Sequence, residues 1–325
     1  MKNLFQSCIP RQAVLDGTAD FVVNLSGLPR LTEAEAREFL DSNVLTSGME
    51  MLLSQVFARM SGNGSAGGIY KLSESMGGGK TQSMIVAGIL ARFPHLASLV
   101  SFKEPLPTVR PDVVAAFTGR ATDKKVWVVL GEALGVKFPA DRAPSEEEWR
   151  DALKGRQVLI LLDELAFYLV HAASLGSKED GTRAATLAGI ALTNLFGAIR
   201  DYKECRQAVV VISDLQKDWE QGAEELARLL KSNDLLGSAL KSVDNEMSKG
   251  AQSIAPVDNT KDELYAILRK RLFKDIHATP KDRESVAAAY ITEELDKAKA
   301  IIDRPTIKIR EEILASWPFH FLYHF

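Results

Sequence analysis

Cysteine is scarce in this sequence, and the classes of protein that depend on it are disfavoured. Two cysteines, Cys8 and Cys205, stand far apart among 325 residues. They match neither a disulfide framework nor the paired spacing of a zinc site, so they favour a reducing compartment, the cytoplasm. The five histidines show no metal-ligand spacing with cysteines or carboxylates. The sequence therefore points away from zinc chemistry and from disulfide-stabilised secreted domains.

Long apolar runs and an excess of one charge are absent as well. No apolar run approaches the length of about eighteen residues that a membrane helix needs, and the polar opening segment predicts no signal peptide. Forty Lys and Arg face 43 Asp and Glu, for a net charge of −3. That balance leaves no overall electrostatic footprint for nucleic acid or for an anionic membrane. The 46% hydrophobic content is ample for the core of a globular protein.

A glycine-rich segment between a short apolar stretch and a helical pattern is the most informative feature present. Residues 69–81 read IYKLSESMGGGKT. Adjacent glycines let backbone N–H groups turn toward an anion, and Lys80 adds a mobile charge at the helix N-terminus. Thr81 would supply the hydroxyl that Mg²⁺ needs. These features predict that a nucleotide binds here through its phosphates. The residues expected to bind it are Met76, Gly77, Gly78, Gly79, Lys80, Thr81 and Gln82.

The match to a phosphate-binding loop is partial. The pattern G-x-x-x-x-G-K-[ST] requires a first glycine at the position where this chain has Glu74. Its second glycine, Gly79, is in place. A glycine-lysine-threonine string also occurs by chance in turns, so the second half of the site decides between the two interpretations.

The acidic half lies far downstream. Residues 158–162 are five consecutive apolar residues, typical of a strand buried on both faces of a parallel sheet, and Asp163 and Glu164 follow directly. Ligands of open α/β sheets bind at this carboxyl end. Asp163 is expected to hold Mg²⁺ through its water shell, and Glu164 to orient and polarise an attacking water. The alternative is a solvated strand end that caps the next helix.

A further apolar run, at 208–212, ends in Ser213. Some nucleotide hydrolases place an extra strand between the loop strand and the acidic strand, and its terminal polar residue reaches the γ-phosphate and the attacking water. Ser213 is therefore a candidate sensor. A serine that caps a following helix at 219–230 explains the residue equally well, since serine is a favoured N-cap.

Strand patterns that alternate with helical patterns predict a doubly wound parallel sheet. We divide the chain into an N-terminal helical segment at 1–66, a core at 67–255 and a partial helical lid at 256–325. Inside the core, the polar stretch 174–182 is expected to break a helix, and 241–252 to be a flexible connector.

Three neighbouring basic residues occupy one predicted lid helix, Arg269, Lys270 and Arg271. An arginine among them is a candidate to reach the γ-phosphate of its own site or of a neighbouring copy. A solvated helix face is the simpler interpretation.

Short motifs along nearly the whole chain match one family. They are F-x-x-C-x-P-R-x-x-V-L-x-G at 5–17, R-M-S-G at 59–62, M-G-G-G-K-T at 76–81, L-I-L-L-D-E-L-A-F-Y-L at 159–169, I-A-P-V at 254–257, R-K-R-L-F at 269–273 and W-P-F-H at 317–320. In these segments the sequence resembles the large prokaryotic P-loop ATPases grouped as domain of unknown function 499. It is similar in plan to the ATPases of BREX phage-defence systems. Gln82 departs from the histidine that family members usually carry there.

The resemblance implies a P-loop NTPase of the AAA+-like (ASCE) type that uses ATP and Mg²⁺. It also implies a setting in anti-phage defence or DNA modification, with homo-oligomers and a DNA methylase or other defence proteins as partners. Family members are usually longer, so the resemblance implies an N-terminal ATPase portion with an incomplete lid.

Three functions remain open at this stage. The first is an ATPase, and the second is a nucleotide-gated switch that binds ATP, hydrolyses it slowly and recruits an effector. The third is a motor that translocates nucleic acid. The sequence has no basic stripe interleaved with aromatic residues, which disfavours the motor.

Overall fold

The computed structural model describes residues 8–17, 24–63, 67–73, 79–120, 124–174, 177–213, 241–246, 249–257, 263–293 and 306–319. Its contacts divide the chain into two compact units. The larger unit comprises Val23–Leu40 and Leu45–Val257, and the smaller comprises Met1–Val22, Asp41–Val44 and Asp258–Phe325. This grouping differs from the division proposed from sequence, because most of the described part of 1–66 packs with the sheet.

Seven strands form two sheets within the described residues. The strands are β1 Cys8–Pro10, β2 Ile69–Leu72, β3 Val113–Thr118, β4 Val158–Asp163, β5 Ala208–Ser213, β6 Ala251–Ile254 and β7 Phe273–Ile276. The larger unit contains a parallel sheet of five strands in the order β3-β4-β5-β2-β6. Every residue of β4 and of β5 is buried. The unbroken apolar runs predicted these central positions, because strands of a parallel sheet are covered on both faces.

Helices cover both faces of this sheet. The helices of the two units include α1 Gln12–Leu15, α2 Glu33–Ser42, α3 Ser47–Met60, α4 Lys80–Arg92, α5 Val126–Leu134, α6 Glu146–Leu153, α7 Leu165–Ser174, α8 Lys178–Asp201, α9 Glu263–Leu272, α10 Pro280–Glu293 and α11 Thr306–Ser316, of which α1 and α9 to α11 belong to the smaller unit. Helices α3 and α4 pack with Leu159 and Leu161 on one face of β4. Helices α5 to α8 pack with Ile160 and Leu162 on the other. Alternate residues of one strand therefore belong to two separate cores.

One sequence-based expectation for the larger unit is confirmed with narrower bounds, and one is wrong. A break between two helices was expected at 174–182; α7 ends at Ser174, and α8 already begins at Lys178, because the side chain of Ser177 accepts the N–H of Asp180 and caps it. The stretch 241–252 was expected to be a flexible connector. Instead 241–246 is helical, and β6 pairs in parallel with β2.

The smaller unit combines a short antiparallel sheet with three helices from the C-terminal part. Strand β1 pairs with β7, a contact between distant segments that no local pattern predicted. The guanidinium of Arg269 donates to the carbonyl oxygens of Ala315, at 2.7 Å, and Trp317, at 2.8 Å. These bonds tie helix α9 to the carboxyl end of α11. Arg269, one of the three basic residues considered above, thus has a structural role in this unit.

Both cysteines are buried and have free thiols. Within the described ranges, no helix combines the length and the apolar character needed to cross a lipid bilayer.

Helix α6 begins with a capping box that makes stability depend on pH. The N–H of Glu148 donates to Ser145 Oγ at 3.2 Å, and the N–H of Ser145 donates to Glu148 Oε2 at 2.8 Å. Arg142 donates to both carboxylate oxygens of Glu148 at 2.7 Å. The bonds from Arg142, and then from Ser145, lower the pKa of Glu148 from 4.5 to about 2.

Replacing Glu148 by glutamine is expected to lower the free energy of unfolding by about 1 kcal/mol at pH 7, a figure discounted for solvent exposure. Because the folded-state pKa is depressed, this contribution is present above the unfolded value and is lost as the pH falls through 4.5 toward about 2. Urea denaturation at pH 7, and at a pH near the folded-state pKa of about 2, measures the loss of stability and its dependence on pH. Glu147→Gln, in the same helical turn, is the matched control. If the two variants differ in free energy of unfolding and this difference does not shrink at low pH, the role assigned to the Glu148 carboxylate is contradicted.

Candidate functional site

The glycine before helix α4 has a left-handed backbone. Gly79 has φ 78°, a left-handed conformation that glycine adopts without steric cost, and it is the N-cap of the helix. Lys80 is the first helical residue, and Gln82 lies in the same turn. The first backbone N–H groups of a helix have no acceptor within the helix, and this is the feature by which helix N-termini bind anions. Of the predicted contacts, Met76, Gly77 and Gly78 lie outside the described residues.

Thr81 meets the acidic strand end. Its hydroxyl Oγ1 donates to Oδ2 of Asp163 at 2.5 Å. Thr81 is exposed in the first turn of α4, whereas Asp163 is the last residue of β4 and only 4% of it is exposed. Two predicted magnesium ligands from distant parts of the sequence therefore lie side by side.

Ser213 lies at the same edge of the sheet. It is fully buried at the end of β5, next to β4, and its Oγ accepts the backbone N–H of Glu164 at 3.1 Å. The same N–H also donates to Oδ1 of Asp163 at 3.0 Å. Ser213 thus contacts the backbone of the predicted general base. The helix at 219–230 that it was alternatively expected to cap lies outside the described residues.

Glu164 has an unusual backbone. Its φ is 53°, and among the described residues it is the one non-glycine with a positive φ. A side chain in this region costs about 1–2 kcal/mol, and such residues cluster at functional sites. The N–H of Glu164 donates to Asp163 and to Ser213, and these two hydrogen bonds help to hold this conformation.

The side chain of Glu164 is held by the end of the neighbouring strand. The hydroxyl of Thr118, at the end of β3, donates to Oε2 at 3.1 Å. Arg120 donates through Nε to both carboxylate oxygens at 2.9 Å. The Arg120 side chain is 76% exposed and that of Glu164 is 23% exposed. This ion pair thus lies at the surface, where solvent and solutes can compete for it.

Gly119 makes this contact sterically feasible. Its N–H donates to the carbonyl oxygen of Asp163 at 2.8 Å. A Cβ at this position would lie 1.8 Å from the carbonyl oxygen of Glu164 and 3.0 Å from the backbone nitrogen of Tyr168. Only glycine fits here without displacing backbone, so residue 119 lets the backbones of the two strand ends approach.

Sequence reasoning missed Thr118, Gly119 and Arg120. The available signal was a polar run, T-G-R, directly after a buried strand. Its importance became visible only when β3 was found beside β4 with residue 118 opposite Asp163.

The described residues fit a magnesium ion in a limited way. Nowhere in the described ranges do three or more His, Cys, Asp or Glu side chains group as a metal site. The Thr81 hydroxyl and the Asp163 carboxylate are two adjacent oxygen groups of the kind Mg²⁺ prefers. A Mg²⁺ held there would take its other ligands from water and from substrate phosphates, as this ion commonly does.

No family model matches the chain, and no curated protein matches its sequence. Function is therefore inferred from the residues of the site. The resemblance drawn from short motifs stays a hypothesis beside them.

Proposed function

We propose that the chain is a magnesium-dependent ATPase of the P-loop class, with an AAA+-like core. One observation carries the proposal: Thr81, directly after Gly79 and Lys80, lies 2.5 Å from Asp163 at the end of a buried strand. A glycine and lysine at a helix start, joined to an acidic strand end, are the two halves of a magnesium triphosphate site. The position of β5 between β2 and β4 also supports this class of hydrolase.

In this proposal each residue has a distinct task. The amides after Gly79 and the ammonium of Lys80 bind phosphate oxygens and neutralise the charge that develops during transfer. Thr81 and Asp163 would hold the magnesium ion, which would neutralise phosphate charge when bound. Glu164 accepts a hydrogen bond from water and orients it toward the terminal phosphate. Ser213 fixes the backbone N–H of Glu164 and so positions that carboxylate.

The resemblance to the defence-island ATPases extends the proposal to a cellular role. We propose a cytoplasmic component of an anti-phage or DNA-modification system that forms homo-oligomers and works with a DNA methylase or another effector. Any contact with DNA would then be indirect or made by the assembly.

A nucleotide-gated switch with little turnover is the second candidate, and one observation favours it. The carboxylate of Glu164 is hydrogen-bonded to Arg120 and Thr118, which leaves less of it available to polarise water. A chain with this arrangement would bind ATP but hydrolyse it slowly. The two candidates share the site and differ in turnover.

The effect of magnesium on nucleotide affinity tests the proposal. We expect Mg²⁺ to tighten binding of a fluorescent ATP analogue by about tenfold or more in the wild type, and by less than about threefold in Thr81→Ala. In EDTA the two proteins should bind alike. Thr108→Ala, an exposed threonine in a loop of the same unit, is the matched control. A wild type that binds no nucleotide, or a Thr81→Ala variant with the full magnesium effect, would overturn the assignment.

A further inference from the structure

An exposed guanidinium borders the predicted base on the side of strand β3. The Nε of Arg120 lies 2.9 Å from each carboxylate oxygen of Glu164. Glu164 follows Asp163, which in turn contacts Thr81. Arg120 is thus one side chain away from the residues proposed to hold the magnesium triphosphate.

Arg269, an earlier candidate to reach the γ-phosphate, forms hydrogen bonds elsewhere. Arg269 donates to two backbone carbonyls at the carboxyl end of α11. Withdrawing it would leave those two acceptors without their donor. Arg120 is largely exposed and contacts the carboxylate of Glu164, which an anion can replace.

We propose, on the basis of the function proposed above, that Arg120 is a triphosphate-binding residue and that Glu164 occupies it until nucleotide arrives. The terminal phosphate then binds the guanidinium in place of the Glu164 carboxylate. That carboxylate is released and accepts a hydrogen bond from water. No covalent bond changes in this step, because only hydrogen-bond partners are exchanged.

Charge and geometry favour the exchange. A terminal phosphate carries more negative charge than one carboxylate and offers three oxygens to a planar guanidinium that can bind two at once. The present contact uses only Nε of Arg120 for both carboxylate oxygens. An exposed ion pair of this kind contributes little to stability, so its loss is easily offset.

The backbone keeps the two partners in reach during the exchange. Gly119 is bonded to the carbonyl of Asp163, and Glu164 is bonded through its N–H to Ser213. These contacts involve backbone groups and do not depend on the Arg120 side chain. Rotation of two side chains is therefore sufficient, and no strand needs to move.

The proposal is tested by comparing triphosphate and diphosphate affinities of the full chain. We expect Arg120→Ala to weaken binding of a non-hydrolysable ATP analogue by about tenfold and to change ADP affinity by less than about twofold. Arg120→Lys should restore part of the lost affinity. Lys124→Ala removes an exposed charge from the same β3–α5 connection and should leave both affinities unchanged. Unaltered thermal unfolding of each variant checks that the chain is folded.

A double-mutant cycle tests the competition itself. Glu164→Gln should tighten triphosphate binding by about threefold or more when Arg120 is present, and by much less in the Arg120→Ala background. Equal effects in both backgrounds would overturn the proposal.

Other results separate this proposal from the function it rests on. Unchanged analogue affinity in Arg120→Ala, with ATP turnover either raised or unchanged, would show that the arginine merely restrains Glu164 or serves structure, and would overturn the proposal alone. A wild-type chain that binds neither nucleotide would overturn the proposed function as well.

Discussion

Replacing Glu164 by glutamine is expected to lower the rate of ATP hydrolysis by about a hundredfold or more while ATP still binds. Glutamine keeps the size of the side chain but cannot accept a proton or carry the charge that polarises water. It also leaves in place the backbone bonds from the residue 164 N–H to Asp163 and Ser213. Phosphate release under saturating magnesium ATP measures the rate, and analogue titration measures binding.

The control for this variant is an acid outside the site. Glu132, on helix α5, forms an exposed ion pair with Lys124. Glu132→Gln removes this carboxylate and should leave turnover unchanged. Full turnover in Glu164→Gln would rule out the assigned base. A wild type that binds ATP without hydrolysing it, alone and as an oligomer, would favour the switch over the ATPase.

Replacing Gly119 by alanine is expected to have the largest effect on stability near the site, a loss of about 3 kcal/mol in the free energy of unfolding. The added Cβ would lie 1.8 Å from the Glu164 carbonyl oxygen, which is backbone and cannot rotate away. Relief requires the ends of β3 and β4 to separate. Any variant that folds should therefore also lose turnover, because Glu164 moves with its backbone.

Urea denaturation of Gly119→Ala beside Gly27→Ala gives the comparison. Gly27 lies in a 3₁₀ turn of the same unit, and a Cβ there meets no atom within 4 Å. Its replacement should change stability by less than about 1 kcal/mol. Equal stabilities of the two variants would contradict the close approach of residues 119 and 164.

The central strands were predictable because their signal is local. The runs at 158–162 and 208–212 contain no polar residue, and a strand buried on both faces requires that. The start of α4 at Lys80 follows in the same way from a glycine before a helical pattern. The meeting of Thr81 with Asp163 was also foreseeable, because a helix that follows one parallel strand begins at the sheet edge where the carboxyl ends of the strands lie.

The remaining features depend on pairings that a local pattern does not contain. Strand β6 is short and partly exposed, and only its register with β2 identifies it as a strand. Strands β1 and β7 come from opposite ends of the chain. Arg120 acquires a function only through its place beside β4, and the left-handed φ of Glu164 leaves no trace in composition. These features are therefore set by long-range contacts, which a local sequence pattern does not reveal.

The most direct test is a crystal structure of the chain with Mn²⁺ and a non-hydrolysable ATP analogue, in which anomalous scattering locates the metal. The account predicts one peak bonded to the Thr81 hydroxyl, linked to Asp163 directly or through one water, with the terminal phosphate beside Lys80. A metal and triphosphate bound elsewhere, with Thr81 still hydrogen-bonded to Asp163, would contradict it.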